Sequence, residues 1–489
     1  MNKRWLLVTD SYMDLEKRGV DMLFAAVSTY VSYVLPVKSI QDMSTEEWEQ
    51  NNILLVGKSS AHSGIKLCQE KGLVSIPQEP ESYSIYVGQS VYNTDAQMIA
   101  IVGYDEYGIL YGCVDFCNKY FGYHLHLNGG LCEETYFENV FNGKLAPWKI
   151  SVTPAIKTRA LWTWGHVIYD YKKFFENMAK LRFNEVVIWN DKAPKNAKEV
   201  VDCAHSWGIK LIWGFAWGWT TKCEDALEQF NEETCENIKK IVLETYANEY
   251  VKLGGDGIYF QSFTELSKES VGGRCIADIV TGLVNDVSSV LLEQYPNLHI
   301  QFGLHATSVK NKLEIIQKTD KRVTIVWEDC GAFPYAYSVL HPNVENFEET
   351  LSFTEKLLSL RGMDEKFGTV LKGMLNLDWA SFEHFTESYV LGERGKESIL
   401  ARQIKTRRMW KVVQAGWLKY GDYARQLIAR IAEKGNAPIV QALVENALFE
   451  EEIPFPAALY AEMLWTPKAD IQDMIQYVAS YPCVRFANI

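Results

Sequence analysis

Seven compact apolar runs, each followed by an amphipathic stretch, occupy the chain from Lys157 to about residue 395. The runs are "TRALWTWG" (158–165), "NEVVIWND" (184–191), "IKLIWGFAWGW" (209–219), "DGIYFQSFTE" (256–265), "LHIQFGLHA" (298–306), "VTIVWEDCG" (323–331) and "TVLKGMLNLDW" (369–379). The stretches between them, such as "DYKKFFENMAKLR" and "GRCIADIVTGLVNDVSSVLLEQY", repeat their apolar residues at a spacing near 3.6. A strand covered on both faces needs a near-continuous apolar run, whereas a helix lying on it needs one apolar stripe. Seven such alternations and a weaker eighth predict an α/β chain built on a (β/α)8 TIM barrel of about 250 residues. A doubly wound open sheet is the main alternative, but no Gly-rich phosphate turn follows the first strand.

The flanks differ from this repeat. Residues 1–150 hold four short apolar runs, "RWLLVTD", "NNILLVG", "YSIYVG" and "QMIAIVG", and a helical pattern after "GYDEYG", which predict a small N-terminal α/β domain. "NGKLAPWKISVTPAI" carries two prolines and reads as a linker into a barrel domain spanning 155–395. Residues 396–489 open on one long amphipathic stretch and predict a C-terminal helical region. Those helices could serve a homodimer contact, and a cap on the barrel would read the same.

With 489 residues, 47% hydrophobic and 23% charged, the composition is globular. A net charge of −13 and the lack of a Lys/Arg block argue against a nucleic-acid partner. Ten cysteines are scattered without a CxxC, so neither a zinc ribbon nor a redox motif is indicated. The N-terminus lacks a signal-peptide pattern, and no segment reaches the roughly 18 apolar residues of a membrane helix. The expectation is a reduced, cytoplasmic protein without a membrane partner.

In a barrel of this kind chemistry gathers at the C-terminal ends of the strands. The first ends in Trp162, Trp164 and His166, the second in Trp189, Asn190 and Asp191, and the third in Trp217 and Trp219. The fourth ends in Glu265 and the fifth in His305. The sixth ends in Trp327, Glu328 and Asp329, followed by Tyr335, and the seventh in Asp378 and Trp379. Indole faces stack on the C–H faces of sugar rings, and two carboxylates flanking an acetal suit glycoside hydrolysis. A wall of tryptophan keeps one of those acids protonated near neutral pH. Glu328 and Asp329 are adjacent, so strand alternation turns only one of them inward. Taken singly, each tryptophan is as well explained by packing, and Glu265 by a solvated loop. His166 with His305, or His124 with His126, are the histidine pairs a metal would need; neither has further ligands at metal spacing, and no metal or cofactor is expected.

These strand ends resemble those of the barrel glycosidases typified by family 67 α-glucuronidases, and more loosely the family 20 β-N-acetylhexosaminidases. "ESYSIYV…MIAIVGYDEYGILYG" is similar to the α/β domain preceding both barrels, and "TRALWTWGHVIYDYKKFFENMAKLRFNEVVIWND" to their first strand, helix and second strand. The resemblance implies that Arg159 holds sugar hydroxyls, as the family 20 arginine does. Family 20 follows Gly-Gly with an Asp-Glu pair, whereas "GGDG" has Gly257 in place of that Glu. Thr264-Glu265 instead is similar to the lone general acid of the α-glucuronidases. Their base then corresponds to Glu328, Asp329 or Asp378.

The sequence thus points to an exo-acting glycoside hydrolase that takes an oligosaccharide or glycoside substrate. Glu265 is the expected acid, and Asp329, Glu328 or Asp378 the base or nucleophile. Trp162, Trp164, Trp217, Trp219 and Trp327 form the expected sugar platform; Arg159, His166, Asn190, Asp191, His305, Tyr335 and Trp379 complete the binding residues. A non-catalytic carbohydrate-binding barrel and a metal-dependent barrel hydrolase are the alternatives.

Overall fold

The computed structural model describes residues 3–58, 63–75, 78–121, 124–125, 131–132, 147–190, 192–217, 231–266, 268–305, 308–328, 346–362, 365–374, 387–434, 438–444, 450 and 452–487. Eight parallel strands close into a barrel in chain order, the eighth pairing with the first. They are Thr158–Trp164, Glu185–Trp189, Lys210–Ala216, Gly257–Gln261, His299–Leu304, Val323–Trp327, Phe367–Met374 and Ile439–Val444. The expected TIM barrel is therefore present, and each of the seven expected strands falls within or close to its apolar run.

Two expectations need correction. The closing strand lies at 439–444, after the 39-residue helix Lys396–Lys434, so the barrel does not end at 395. Its sequence, "IVQALV", is a six-residue buried run whose periodicity cannot separate strand from helix. The expected strands also run too far at their C-terminal ends. Pairing stops at Ala216 and Gln261, and the runs look longer in sequence because apolar character persists past those points.

Alternation sorts the strand residues into two layers. Trp162, Trp164, Val187, Trp189, Ile212, Tyr259, Val326, Val370 and Leu443 pack together inside the barrel. Leu161, Val186, Ile188, Trp213, Phe215, Ile258, Phe260, Ile300, Phe302, Ile325 and Trp327 belong instead to the core shared with the surrounding helices. Those helices include Tyr171–Lys180, Ala197–His205, Glu232–Thr245, Ile276–Gln294 and Phe347–Ser359. The fifth strand places Gln301, Gly303 and His305 inward, so it adds polar or minimal groups where its neighbours add rings and branched chains. Near the base, Gln301 Nε2 donates to Glu185 Oε1 at 2.9 Å and Gln441 Nε2 to Gln301 Oε1 at 2.7 Å. Before the fourth strand, Gly254 and Gly255 adopt φ of 72° and 97°, a region closed to most side chains. Asp256 next to them accepts from His205 Nε2 and Leu211 N, so it fixes the strand's start.

The N-terminal residues form a six-stranded sheet in the order Val37–Ser39, Trp5–Thr9, Asn52–Lys58, Gln97–Gly103, Tyr83–Gln89, Trp148–Val152. This sheet meets the barrel base and the helix Phe455–Trp465 through one buried network. The Arg159 and Arg182 guanidiniums each lie 4.6 Å from the Trp465 ring centroid. Arg159 Nη2 pairs with Glu81 Oε2 at 2.5 Å, and Arg182 Nη2 with Glu462 Oε2 at 2.5 Å. Arg182 also donates to the Tyr83 hydroxyl, and Asp115 accepts from Tyr83 and Tyr477. Glu81 and Arg182 both hold positive φ, 67° and 60°, a strain that the surrounding contacts sustain. Arg159 is fully buried at the N-terminal end of its strand and donates also to Ile156, Lys157 and Arg182 carbonyls. It sits at the end of the barrel opposite the strand C-termini, so it does not join the other expected sugar-binding residues there.

Among the described residues, no helix is long and apolar enough to cross a membrane. Replacing Arg182 by Leu leaves the Glu462 and Asp115 carboxylates buried without their cation. That substitution should cost about 3–5 kcal/mol in denaturant unfolding, and Glu462→Leu added to it should restore part of the loss.

Candidate functional site

Glu328 is the first residue past the sixth strand, and its side chain turns inward at the barrel mouth. It is 2% exposed. Three neighbours on the fourth and fifth strands hold it. The Tyr259 hydroxyl donates to Oε1, and Gln261 Nε2 reaches Oε1 at 2.7 Å and Oε2 at 2.6 Å. His305 Nε2 lies 2.5 Å from Oε2. Burial alone would push the carboxyl up, but His305, by charge and by hydrogen bond, together with Lys372 and Tyr259, holds it down to about 2. Lys372 occupies the bulge of the seventh strand between Leu371 and Met374. Bulges re-aim side chains in this way near functional sites.

The fit depends on an absent side chain. A Cβ on Gly303 would overlap both Glu328 Oε1 and the Tyr259 hydroxyl. Gly214 similarly clears space for the Trp189 ring on the next strand. Beside the carboxylate stands an aromatic wall. Trp162 stacks on Trp189 at 5.9 Å and meets Trp164 edge-on at 5.0 Å, while Tyr259 is edge-on to Trp162 at 5.9 Å.

His305 is anchored through its backbone, whose N–H donates to Thr264 Oγ1 at 3.0 Å. Thr264 belongs to the single turn Phe263–Glu265, so the Glu265 backbone begins at the same end of the barrel as Glu328. The side chain of Glu265 lies outside the described residues, as do Asp191, Trp219, Asp329, Tyr335, Asp378, Trp379 and the side chains of His124 and His126. Asn190 is buried, and its Oδ1 accepts from the Tyr389 hydroxyl. His166 follows the first strand in the turn Gly165–Val167 and is partly exposed.

Two members of the expected sugar platform face away. Trp217 stacks on Phe260 at 3.6 Å, and Trp327 packs on Phe353 of a surrounding helix at 5.2 Å. Both lie in the outer core because odd positions on those strands point outward. Neither can form a sugar wall inside the mouth. Tyr259 and Gln261 are site residues that the strand-end motifs did not name, while Trp189, named at the second strand's end, joins the aromatic wall although it was not counted in the expected platform. Counting by twos back from the mouth end of the fourth strand would have found both. Among the described residues, no group of three His, Cys, Asp or Glu side chains is placed to hold a metal ion.

A segment from the seventh strand's connection crosses to the loops after the first two strands. Lys195 N donates to Tyr389 O at 2.7 Å, Leu391 N to Asn196 Oδ1 at 2.8 Å, and Arg394 N to Tyr169 O at 2.8 Å. Residues 387–395 thus form a strap over that side of the mouth.

No protein-family model matches the chain, and no curated protein matches its sequence. Solved structures do share its fold. A GH138 enzyme targeting pectin rhamnogalacturonan II aligns with a TM-score of 0.50 and 11% identity, over 96% of this chain and 51% of that one. A mutant Streptomyces plicatus beta-hexosaminidase in complex with its product GlcNAc aligns with a TM-score of 0.50 and 10% identity, over 99% and 92%. Flavobacterium johnsoniae chitobiase aligns with a TM-score of 0.51 and 10% identity, over 98% and 68%. The chain therefore spans about half the length of the GH138 enzyme. At these identities the likeness is one of architecture, a barrel preceded by an α/β unit; the resemblance to family 67 rests on the sequence motifs alone.

Two outcomes follow from the grip on Glu328. Gly303→Ala should separate Tyr259 from Glu328 and cost about 1–3 kcal/mol, measured by denaturant unfolding. The folded carboxyl titrates near 2, below its ordinary 4.5, so its ionised form contributes stability that is complete above about pH 4.5 and is lost as pH falls toward 2. Stepped unfolding measurements across that window should show a steeper loss for the wild type than for Glu328→Gln.

Proposed function

We propose that the chain is a glycoside hydrolase that removes a terminal sugar from a short oligosaccharide or glycoside. The observation that carries this reading is Glu328, an ionised carboxylate held at the barrel mouth by Tyr259, Gln261 and His305 beside the Trp162–Trp164–Trp189 wall. A fixed anion stabilises the positive charge that builds on the anomeric carbon as the glycosidic bond breaks. Both oxygens of Glu328 already accept hydrogen bonds, and its acid is strong. It therefore serves as a charge better than as a proton acceptor. In this reading Glu265 delivers the proton to the leaving oxygen, and Asp378 activates water or attacks carbon, since alternation turns only one of the adjacent Glu328 and Asp329 inward and that one is Glu328. His166 contacts sugar hydroxyls, and the indoles of Trp164 and Trp189 take the ring face. The strap at 387–395 supports exo action, because it walls the mouth above the first and second strands.

The likeness in fold to a chitobiase, a beta-hexosaminidase and a GH138 enzyme is in keeping with this reading. Hexosaminide and glucuronide substrates are the two sugar classes to try first. A panel of nitrophenyl glycosides should yield one that the protein turns over. On that substrate Glu265→Gln and Glu328→Gln should each lower kcat by roughly 100-fold or more without loss of fold. Near-normal turnover by Glu265→Gln would remove it as the acid. The saturated hydrogen bonding of Glu328 also favours a second reading, a barrel that binds carbohydrate without cleaving it. Glycan binding with no released sugar would support that one.

A further inference from the structure

The turn after the first strand, residues 165–170, separates Trp164 from the helix Tyr171–Lys180 and carries His166. A buried ion pair grips it from outside the barrel. Arg402, on the helix Lys396–Lys434, donates through Nη1 to Val167 O. Glu450, six residues past the eighth strand, accepts from Tyr169 N through Oε1 at 2.7 Å. The two charges meet at 2.6 Å, and the guanidinium lies 3.8 Å from the Tyr169 ring centroid. Arg402 is 5% exposed and Glu450 2%.

Burying two charges is costly, and well-packed apolar side chains of similar volume commonly stabilise a fold as well or better. What such side chains cannot provide is a pair of directional bonds to the Val167 carbonyl and the Tyr169 amide. We propose that Arg402 and Glu450 are positioning residues. They set the backbone after the first strand so that Trp164 and His166 meet the sugar at a fixed place. The proposal rests on the glycosidase reading, and it assigns the long helix and the loop after strand eight a share in the mouth's geometry.

The test replaces both charges, Arg402→Met with Glu450→Leu. The double variant should retain the wild-type circular dichroism and unfolding midpoint. Amide exchange at Tyr169 should become roughly tenfold faster. On the aryl glycoside that the wild type turns over, kcat should fall roughly 100-fold with a smaller change in KM, as expected for a displacement near 1 Å. Arg402→Lys alone, which keeps the charge, should retain part of the lost kcat. A folded double variant with unchanged kcat and unchanged Tyr169 exchange would overturn the proposal. Should the double variant not fold, Glu450→Gln, which keeps an acceptor but loses the ion pair, supplies both readings. If the wild type cleaves no glycoside, it is the glycosidase reading that fails. Exchange at Tyr169 then decides on its own, and unchanged protection overturns the positioning role.

Discussion

One indole held between two guanidiniums joins the parts of this protein. Trp465 brings the C-terminal helix to the barrel base, Arg159 and Arg182 come from the first strand and the loop before the second, and Glu81 comes from the N-terminal sheet. Each buried cation needs a carboxylate, and the three that serve, Glu81, Glu462 and Asp115, come from outside the barrel strands. The buried positive charges are thus balanced only when all three regions are in place. Because this lock sits at the N-terminal ends of the strands, the loops at the other end carry no share of that task. A scaffold arranged this way leaves its mouth free to hold polar and charged groups that would weaken a core.

The barrel interior shows what neighbours do to two glutamates of similar burial. Glu185 near the base has Gln301 as its hydrogen-bond partner, and burial pushes its carboxyl up. Glu328 at the mouth has His305, Lys372, Tyr259 and Gln261, and is held far down. Burial shifts the first toward its neutral form, whereas its neighbours hold the second as an anion well below neutral pH, although both side chains point into the same cylinder. Partner chemistry rather than depth sets the difference. The fifth strand makes it achievable by offering a glycine and a histidine where an apolar side chain would fill the gap.

Much of the architecture was legible in the sequence. Seven strands and most of the intervening helices announced themselves through period and length, because each must bury a particular face. The eighth strand did not, since six buried apolar residues after a long helix satisfy either period. At the site, Glu328, His305, Trp162 and Trp164 could be named from their places at strand ends. Trp217 and Trp327 could not be told apart from them, because the same composition serves the outer layer, and a one-residue offset reverses the face. Arg159 was misassigned for a different reason: its partners, Glu81 and Trp465, lie 78 positions before it and 306 after it in the chain. Tyr259 and Gly303 escaped because their importance lies in a hydroxyl and an empty volume that exist only once three strands stand side by side.

The late position of the closing strand bears on how the molecule assembles. The first strand finds its second neighbour only in Ile439–Val444, and the Thr163 hydroxyl meets the Val444 carbonyl across 281 positions. Until that segment leaves the ribosome, a seven-strand sheet has two bare edges, each offering unpaired backbone groups to any other extended chain. Ring closure therefore waits for a segment far downstream of the first strand, and contacts so distant in sequence form slowly. The nascent barrel passes through an open state with exposed sheet edges, and that state lasts at least as long as translation of the stretch between Met374 and Ile439.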